Sequence, residues 1–227
     1  AHHAGTTADN IVFTLNCTDA LNLAIFGSFL PGGHVVCTEN EHNSVVRPLE
    51  HLKQCDSSFS YSVATQTQKN GITWQDIEKH LTDKTYMVIC NHISNVNGDI
   101  ADIVDIGKHL KELNITFLVD GAQSGGHFRY DMQEMGISML ALAPHKGFYA
   151  PQGVGCLCLD GKTKLQPIRF GGTGTNSLEF IQPETSPERY ESGTINTPAI
   201  LGFGEGVKFV EENFKYIQEK LEDLTTY

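Results

Sequence analysis

Short apolar runs alternating with helical patterns constrain the fold of this chain more than any other feature. The runs lie at residues 11–15, 34–38, 59–63, 86–91, 115–120, 138–143 and 154–159. Helical patterns stand between or after several of them, at 19–30, 48–54, 74–81, 102–113 and 199–224. Within 102–113, Ile103, Ile106, Leu110 and Leu113 recur at the spacing of one helix face. Pro48 suits a first helical position, and Thr73 with Asp76 has the spacing of a capping box. Such an alternation builds a mostly parallel sheet flanked by helices on both faces, so the expected class is α/β. Ligands bind such sheets at the carboxyl ends of the strands. One long stretch, 160–198, has no regular pattern and is rich in Gly, Thr, Ser and Pro, as functional loops of that length are.

Composition narrows the function classes. The chain has 227 residues, 40% of them hydrophobic and 19% charged, enough for one large domain or two small ones. A net charge of −11 with no basic run argues against nucleic acid or an anionic membrane as partner, because both require clustered Lys and Arg. No apolar stretch approaches the ~20 residues of a membrane span. The opening "AHHAGTTADN" lacks the basic start and apolar core of a secretory signal. None of the six cysteines has a zinc-ligand spacing. Cys37, Cys90, Cys156 and Cys158 lie inside apolar runs, where a reduced thiol packs as a small hydrophobe, and a cytoplasmic setting is expected. The ten histidines form no metal-ligand pattern. "GGTGTNS" lacks the lysine of a phosphate loop, and "GFGEG" falls inside a helical pattern.

Polar residues collect where the apolar runs stop. After 11–15 come Thr18 and Asp19 at a helix start, where free N–H groups favour a phosphate; a plain threonine cap is the alternative. After 34–38 comes His42, and after 86–91 come Asn95 and Asn97, either of which could simply shape a turn. Asp120 closes the run 115–120, with Gln123 three residues on. An acid behind four apolar residues is costly to bury unpaired and calls for a cation. Lys146 follows the run 138–143 in "APHKG", with His145 before it. A lysine there is either a strand-end charge reaching water or an amine kept in a site for its chemistry. One cofactor unites this set. Pyridoxal phosphate (PLP) needs a lysine for its Schiff base, an acid to keep its pyridine nitrogen protonated, and donors for its phosphate.

Six pieces, "EHNSVVRPL", "HISNVNGDI", "VDGAQSGGH", "APHKGFYAPQGVG", "GGTGTNSLE" and "RYESGTINTPAILGFGEGVKF", run in order over nearly the whole chain. Together they resemble the class V aminotransferase superfamily of fold-type I PLP enzymes, and within it the cysteine desulfurase and selenocysteine lyase branch. The resemblance implies that Lys146 forms the Schiff base and moves the Cα proton, and that His42 stacks on the ring as the other catalytic candidate. It implies that Asp120 holds the pyridine nitrogen, Gln123 the phenolic oxygen, and Asn95 a place near that oxygen and the substrate carboxylate. Thr18, the backbone of Asp19 and His145 would hold the phosphate. A threonine of a neighbouring subunit, Thr175 or Thr194, would complete that site in a homodimer.

The implied reaction turns L-cysteine into L-alanine with sulfur left as an enzyme persulfide, to be passed to a sulfur-acceptor protein. Another class V activity (selenocysteine lyase, aminotransferase or epimerase) and a non-catalytic, truncated PLP-fold subunit are the alternatives. Two departures stand out. Ala143 replaces a serine usual three residues before the lysine, and Cys17 takes a place usually held by a small residue, where it reads as packing. The family's persulfide cysteine and carboxylate-binding arginine lie in a C-terminal domain. The expected division is therefore a PLP-binding large domain over 1–206, lacking its N-terminal part, and a helix over 207–227 leading to an absent small domain. A piece of this extent is expected to be inactive alone.

Overall fold

The computed structural model describes residues 1–67, 71–174 and 178–226. Its strands are β1 (Ile11–Thr14), β2 (His34–Thr38), β3 (Ser60–Ala64), β4 (Thr85–Asn91), β5 (Thr116–Asp120), β6 (Met139–Leu142) and β7 (Gly155–Leu159). The helices are α1 (Cys17–Gly27), α2 (Asn43–Cys55), α3 (Trp74–Glu78), α4 (Ile103–Glu112) and α5 (Thr197–Thr226). Among the described residues the strands form one sheet in the order β1-β7-β6-β5-β4-β2-β3. Pairing is parallel from β3 to β6, and β7 runs antiparallel to both β6 and β1. The sheet is thus mostly parallel, and every strand except β7 ends at the same edge.

Burial on both faces explains the unbroken apolar runs. Successive strand residues alternate between two cores. Val36, Val88, Phe117, Val119 and Leu140 pack on the side of α3, α4 and α5. Val35, Met87, Ile89, Leu118 and Met139 pack on the side of α1 and α2. In α5, Val210 and Ile217 are buried and Val207 and Phe214 partly so, whereas Leu221 is exposed. The division expected at 206/207 falls inside this continuous helix.

Three helix ends differ from the sequence reading. α2 starts at Asn43, which puts Pro48 inside the helix instead of at its first position. His42 caps it, its Nδ1 accepting the N–H of Ser44 at 3.1 Å, a cap that Ser/Thr/Asp/Asn signals do not announce. α1 is capped by Asn16, whose side chain accepts the N–H of Asp19, so Thr18 lies within the first turn and is not the cap. Leu113 is the C-terminal cap of α4 and half-exposed, because its carbon skeleton falls past the last turn. The capping box of Thr73 and Asp76 forms as expected.

Candidate active site

The carboxyl ends of β2, β4, β5 and β6 and the first turn of α1 surround a cavity of about 240 Å³. Asn16, Cys17, Thr18, His42, Ser44, Asn91, Asn95, Asp120, Gln123, Ala143, His145 and Lys146 are among its walls. Its floor is buried (Asp120, Cys17, Asn91, Ala143), while Thr18, His42, Asn95, His145 and Lys146 form a rim open to solvent.

Two glycine-dependent contacts build this geometry. Lys146 sits in a turn closed by its own N–H to Ala143 O at 3.0 Å and by Tyr149 N–H to Lys146 O at 3.1 Å. That turn lies directly on the one after β5. A Cβ on Gly147 would stand 2.2 Å from Gly125 O, and one on Gly126 (φ +87°) would stand 2.2 Å from Gly147 O. Only bare backbone permits this approach, which carries Lys146 to the cavity that Asp120 floors. On the far side, a Cβ on Gly155 of β7 would meet the Asn16 carbonyl group at 2.2 Å, so β7 supports the start of α1.

Asp120 is only 3% exposed. Its Oδ1 accepts from the Ala122 N–H at 2.9 Å and from the Cys17 thiol at 3.7 Å, and no protein donor serves Oδ2 among the described residues. Burial pushes its carboxyl above the usual range, against the pull of the Ala122 N–H, Lys146, His42 and Cys17. The floor of the cavity is therefore an acid short of a cation. Lys146 is not buried: the cavity opens at its side, and no carboxylate pairs with it among the described residues. Along the rim the hydroxyls of Thr18 and Ser44 lie 2.7 Å apart, and Ser44 Oγ lies 2.8 Å from His42 Nδ1. Because His42 Nδ1 also accepts the Ser44 N–H, its neutral form carries hydrogen on Nε2.

The remaining expected residues lie elsewhere. The Asp19 carboxylate accepts the Leu15 N–H at 2.9 Å and pairs with Arg169, while its N–H serves Asn16 Oδ1. Asp19 is therefore outside the cavity wall, with its backbone donor already engaged. Thr194 lines a separate cavity of about 310 Å³ beside Arg169 and Glu191. Thr175 lies outside the described residues. Asn97 shapes its turn, its Oδ1 accepting the Asp99 N–H at 3.1 Å. Sequence reasoning missed Asn16, Ser44 and Asn91, and gave Cys17 only packing. The available signals were Asn16 before a helical run, which marks a cap, and Asn91 as a polar strand end.

Comparison with known proteins bears on this arrangement. A model of the family described as aminotransferase class-V matches residues 2–227. The chain belongs to this family. A probable cysteine desulfurase of Borreliella burgdorferi is 32% identical over 97% of this class V chain and 55% of its own length. Cysteine desulfurase IscS of Dictyoglomus turgidum is 28% identical over 98% of the chain and 54% of its own. The class V chain thus spans about half the length of the curated relatives it matches. The apo structure of a cysteine desulfurase from Thermococcus onnurineus NA1 superimposes with a TM-score of 0.84 at 29% identity, covering 93% of this chain and 54% of that one. A structure of SspA in complex with cysteine gives 0.77 at 29% identity, covering 91% and 57%. The sheet and its flanking helices are those of this PLP-enzyme fold.

Proposed function

We propose that this cavity is the PLP site of a cysteine desulfurase, and that the whole protein converts L-cysteine to L-alanine. The observation that carries the reading is Asp120, a buried acid without a cation on the floor of a cavity whose rim holds a lysine. The residues fit the cofactor: Asp120 would hold its pyridine nitrogen, Lys146 its aldehyde carbon, His42 one ring face, and Gln123 and Asn95 its phenolic oxygen. Thr18, the first turn of α1 and His145 would take the phosphate. Ala143, on the cavity wall, offers that phosphate no hydroxyl. When bound, the cofactor draws electrons from Cα of an amino acid. Lys146 Nζ, at the rim, would carry the Cα proton, and Asp120 would stay ionised beneath it.

In the proposed reaction a thiolate attacks the substrate sulfur, the C–S bond breaks, its electron pair stays with carbon, and a persulfide forms on the attacking cysteine. Cys17 does not suit that role. It lines the cavity, but burial and the neighbouring Asp120 push its thiol well up, so it stays protonated. The attacking cysteine is assigned to another part of the whole protein, which then hands sulfur to an acceptor protein. The named relatives support cysteine as substrate. Exposed Phe170, Leu178, Phe180 and Ile181 in the loop after β7 support a homodimer. Six free thiols, five of them buried, support a reducing, cytoplasmic setting.

The test is PLP uptake followed by borohydride and peptide mapping. The cofactor should be fixed on Lys146 Nζ, with no visible-band uptake in Lys146→Ala. Whole protein fed L-cysteine should release alanine and, with reductant, sulfide. Formation of a keto acid without sulfide would identify a transaminase instead, and absence of PLP uptake would overturn the cofactor reading.

A further inference from the structure

Glu41 immediately precedes His42 in the loop between β2 and α2. Its Oε1 accepts from Thr38 Oγ1 at 2.6 Å and from the backbone N–H of Asn91 at 2.7 Å. Asn91 returns the contact, its Nδ2 donating to Asn40 O at 3.0 Å. The β2–β4 ladder has its last aligned pair at Cys37 and Ile89, so Glu41 takes a strand-end N–H that lies past it. Asn91 is also the register partner of Asp120 and part of the cavity wall. The other oxygen, Oε2, has no contact with solvent and no hydrogen-bond partner among the described residues. An ionised oxygen without a donor is costly in such a place, and a protonated one far less so.

We propose that Glu41 is a positioning residue of the cofactor site, a neutral carboxylic acid that staples the His42 loop to the end of β4. Its consequence for PLP rests on the function proposed above; its protonation and its bracing role rest on the geometry alone. Burial pushes the Glu41 carboxyl up to about 7, with Asp120 adding to the rise and the bonds from Thr38 and Asn91 opposing it. The titratable groups facing it are Asp120 at the end of β5, the Cys37 thiol on β2 and the Cys90 thiol on β4, with His42 next in the chain. Two carboxyls at one sheet edge thus divide their work: Asp120 is left to carry the charge, and Glu41 holds backbone. A carboxyl raised in this way binds its proton more tightly in the folded chain than in the unfolded one. The folded state is favoured at acid pH and loses that advantage as pH rises from the ordinary carboxylate range to about 7.

Infrared spectra and thermal midpoints of the apo-protein, taken from about pH 5.5 to 8.5, test this together with PLP titrations. The wild type should show a protonated-carboxyl band that fades through about pH 7 and is absent in Glu41→Gln. Its midpoint should fall over the same range more steeply than that of Glu41→Gln. Glu41→Gln, which keeps a neutral acceptor, should bind PLP within about threefold of wild type near pH 6, and Glu41→Leu should bind at least about tenfold more weakly. Absence of the band, or equal PLP binding by the Gln and Leu variants, would overturn the proposal. If the wild type takes up no PLP, the cofactor reading fails separately, and the band and midpoints still decide whether Glu41 is the neutral brace.

Discussion

At the scale of single residues, Asp120 shows stability given up for a site. Its carboxyl is buried and raised, and its Oδ1 is already served by Ala122 and Cys17. Asp120→Asn keeps an acceptor for Ala122 and removes a charge that the apo-protein must hold without a cation. Its apo form should therefore melt no lower than wild type at pH 8, where the wild-type acid is most fully ionised. PLP affinity should fall about 10- to 100-fold, the value of a charged hydrogen bond of roughly 1.5–3 kcal/mol. Scanning fluorimetry and equilibrium dialysis read the two effects, and a large loss of apo stability would contradict the account. This residue was legible in the sequence because an acid ending an apolar run has few structural uses. Lys146 and His42 were legible by their place at the same edge and by motif. Cys17 and Glu41 were not, because a thiol and a brace take their meaning from neighbours distant in sequence; Asn16 was passed over although its place before a helical run marks a cap. Asp19 is engaged by Asn16 and Arg169, and the contact with distant Arg169 leaves no trace in its spacing.

At the scale of elements, the strands were legible and the turns between them less so. Apolar runs marked all seven strands to within about two residues, since burial on both faces leaves a run unbroken. Direction left no such mark: β7 reads like its neighbours yet lies antiparallel, because periodicity is the same either way along a strand. The start of α2 was missed because a histidine caps it. The contact between the two site turns was equally hidden, though "SGG" and "HKG" carry it. It makes a sharp prediction. Gly147→Ala places a methyl 2.2 Å from Gly125 O and 2.9 Å from His127 Nε2, and backbone cannot rotate away. Urea unfolding should show a loss of about 2 kcal/mol or more, in the range of overpacked cores, together with weaker PLP uptake as Lys146 shifts. Gly204→Ala in α5, where the new Cβ meets nothing within 4 Å, should instead gain about 0.5–1 kcal/mol. Equal responses at the two positions would refute the close-contact argument.

At the scale of the whole molecule, one rim of the site is open and one loop is unusually apolar. The cavity leaves Lys146, His145 and His42 exposed, while Phe170 is 74% and Phe180 fully exposed in the stretch that follows β7. Water alone is a poor partner for that much apolar surface, to which exposed Leu178 and Ile181 add. A second copy of the chain is the occupant that the proposed homodimer supplies. Burying a Phe or Ile side chain contributes about 1.5–3 kcal/mol each. The pair Phe180→Ser and Ile181→Ser, present on both copies, should then weaken the dimer by at least about 10⁴-fold, the low end of that sum over four side chains converted at about 1.4 kcal/mol per decade. Sedimentation equilibrium of wild type and double variant gives the dissociation constants directly. PLP affinity should fall along with the dimer if the hydroxyl that the resemblance implies from the neighbouring copy is the last ligand of the phosphate. A variant that becomes monomeric but binds PLP as tightly as wild type would place that ligand within the same chain, and an unchanged dimer would move the interface away from this loop.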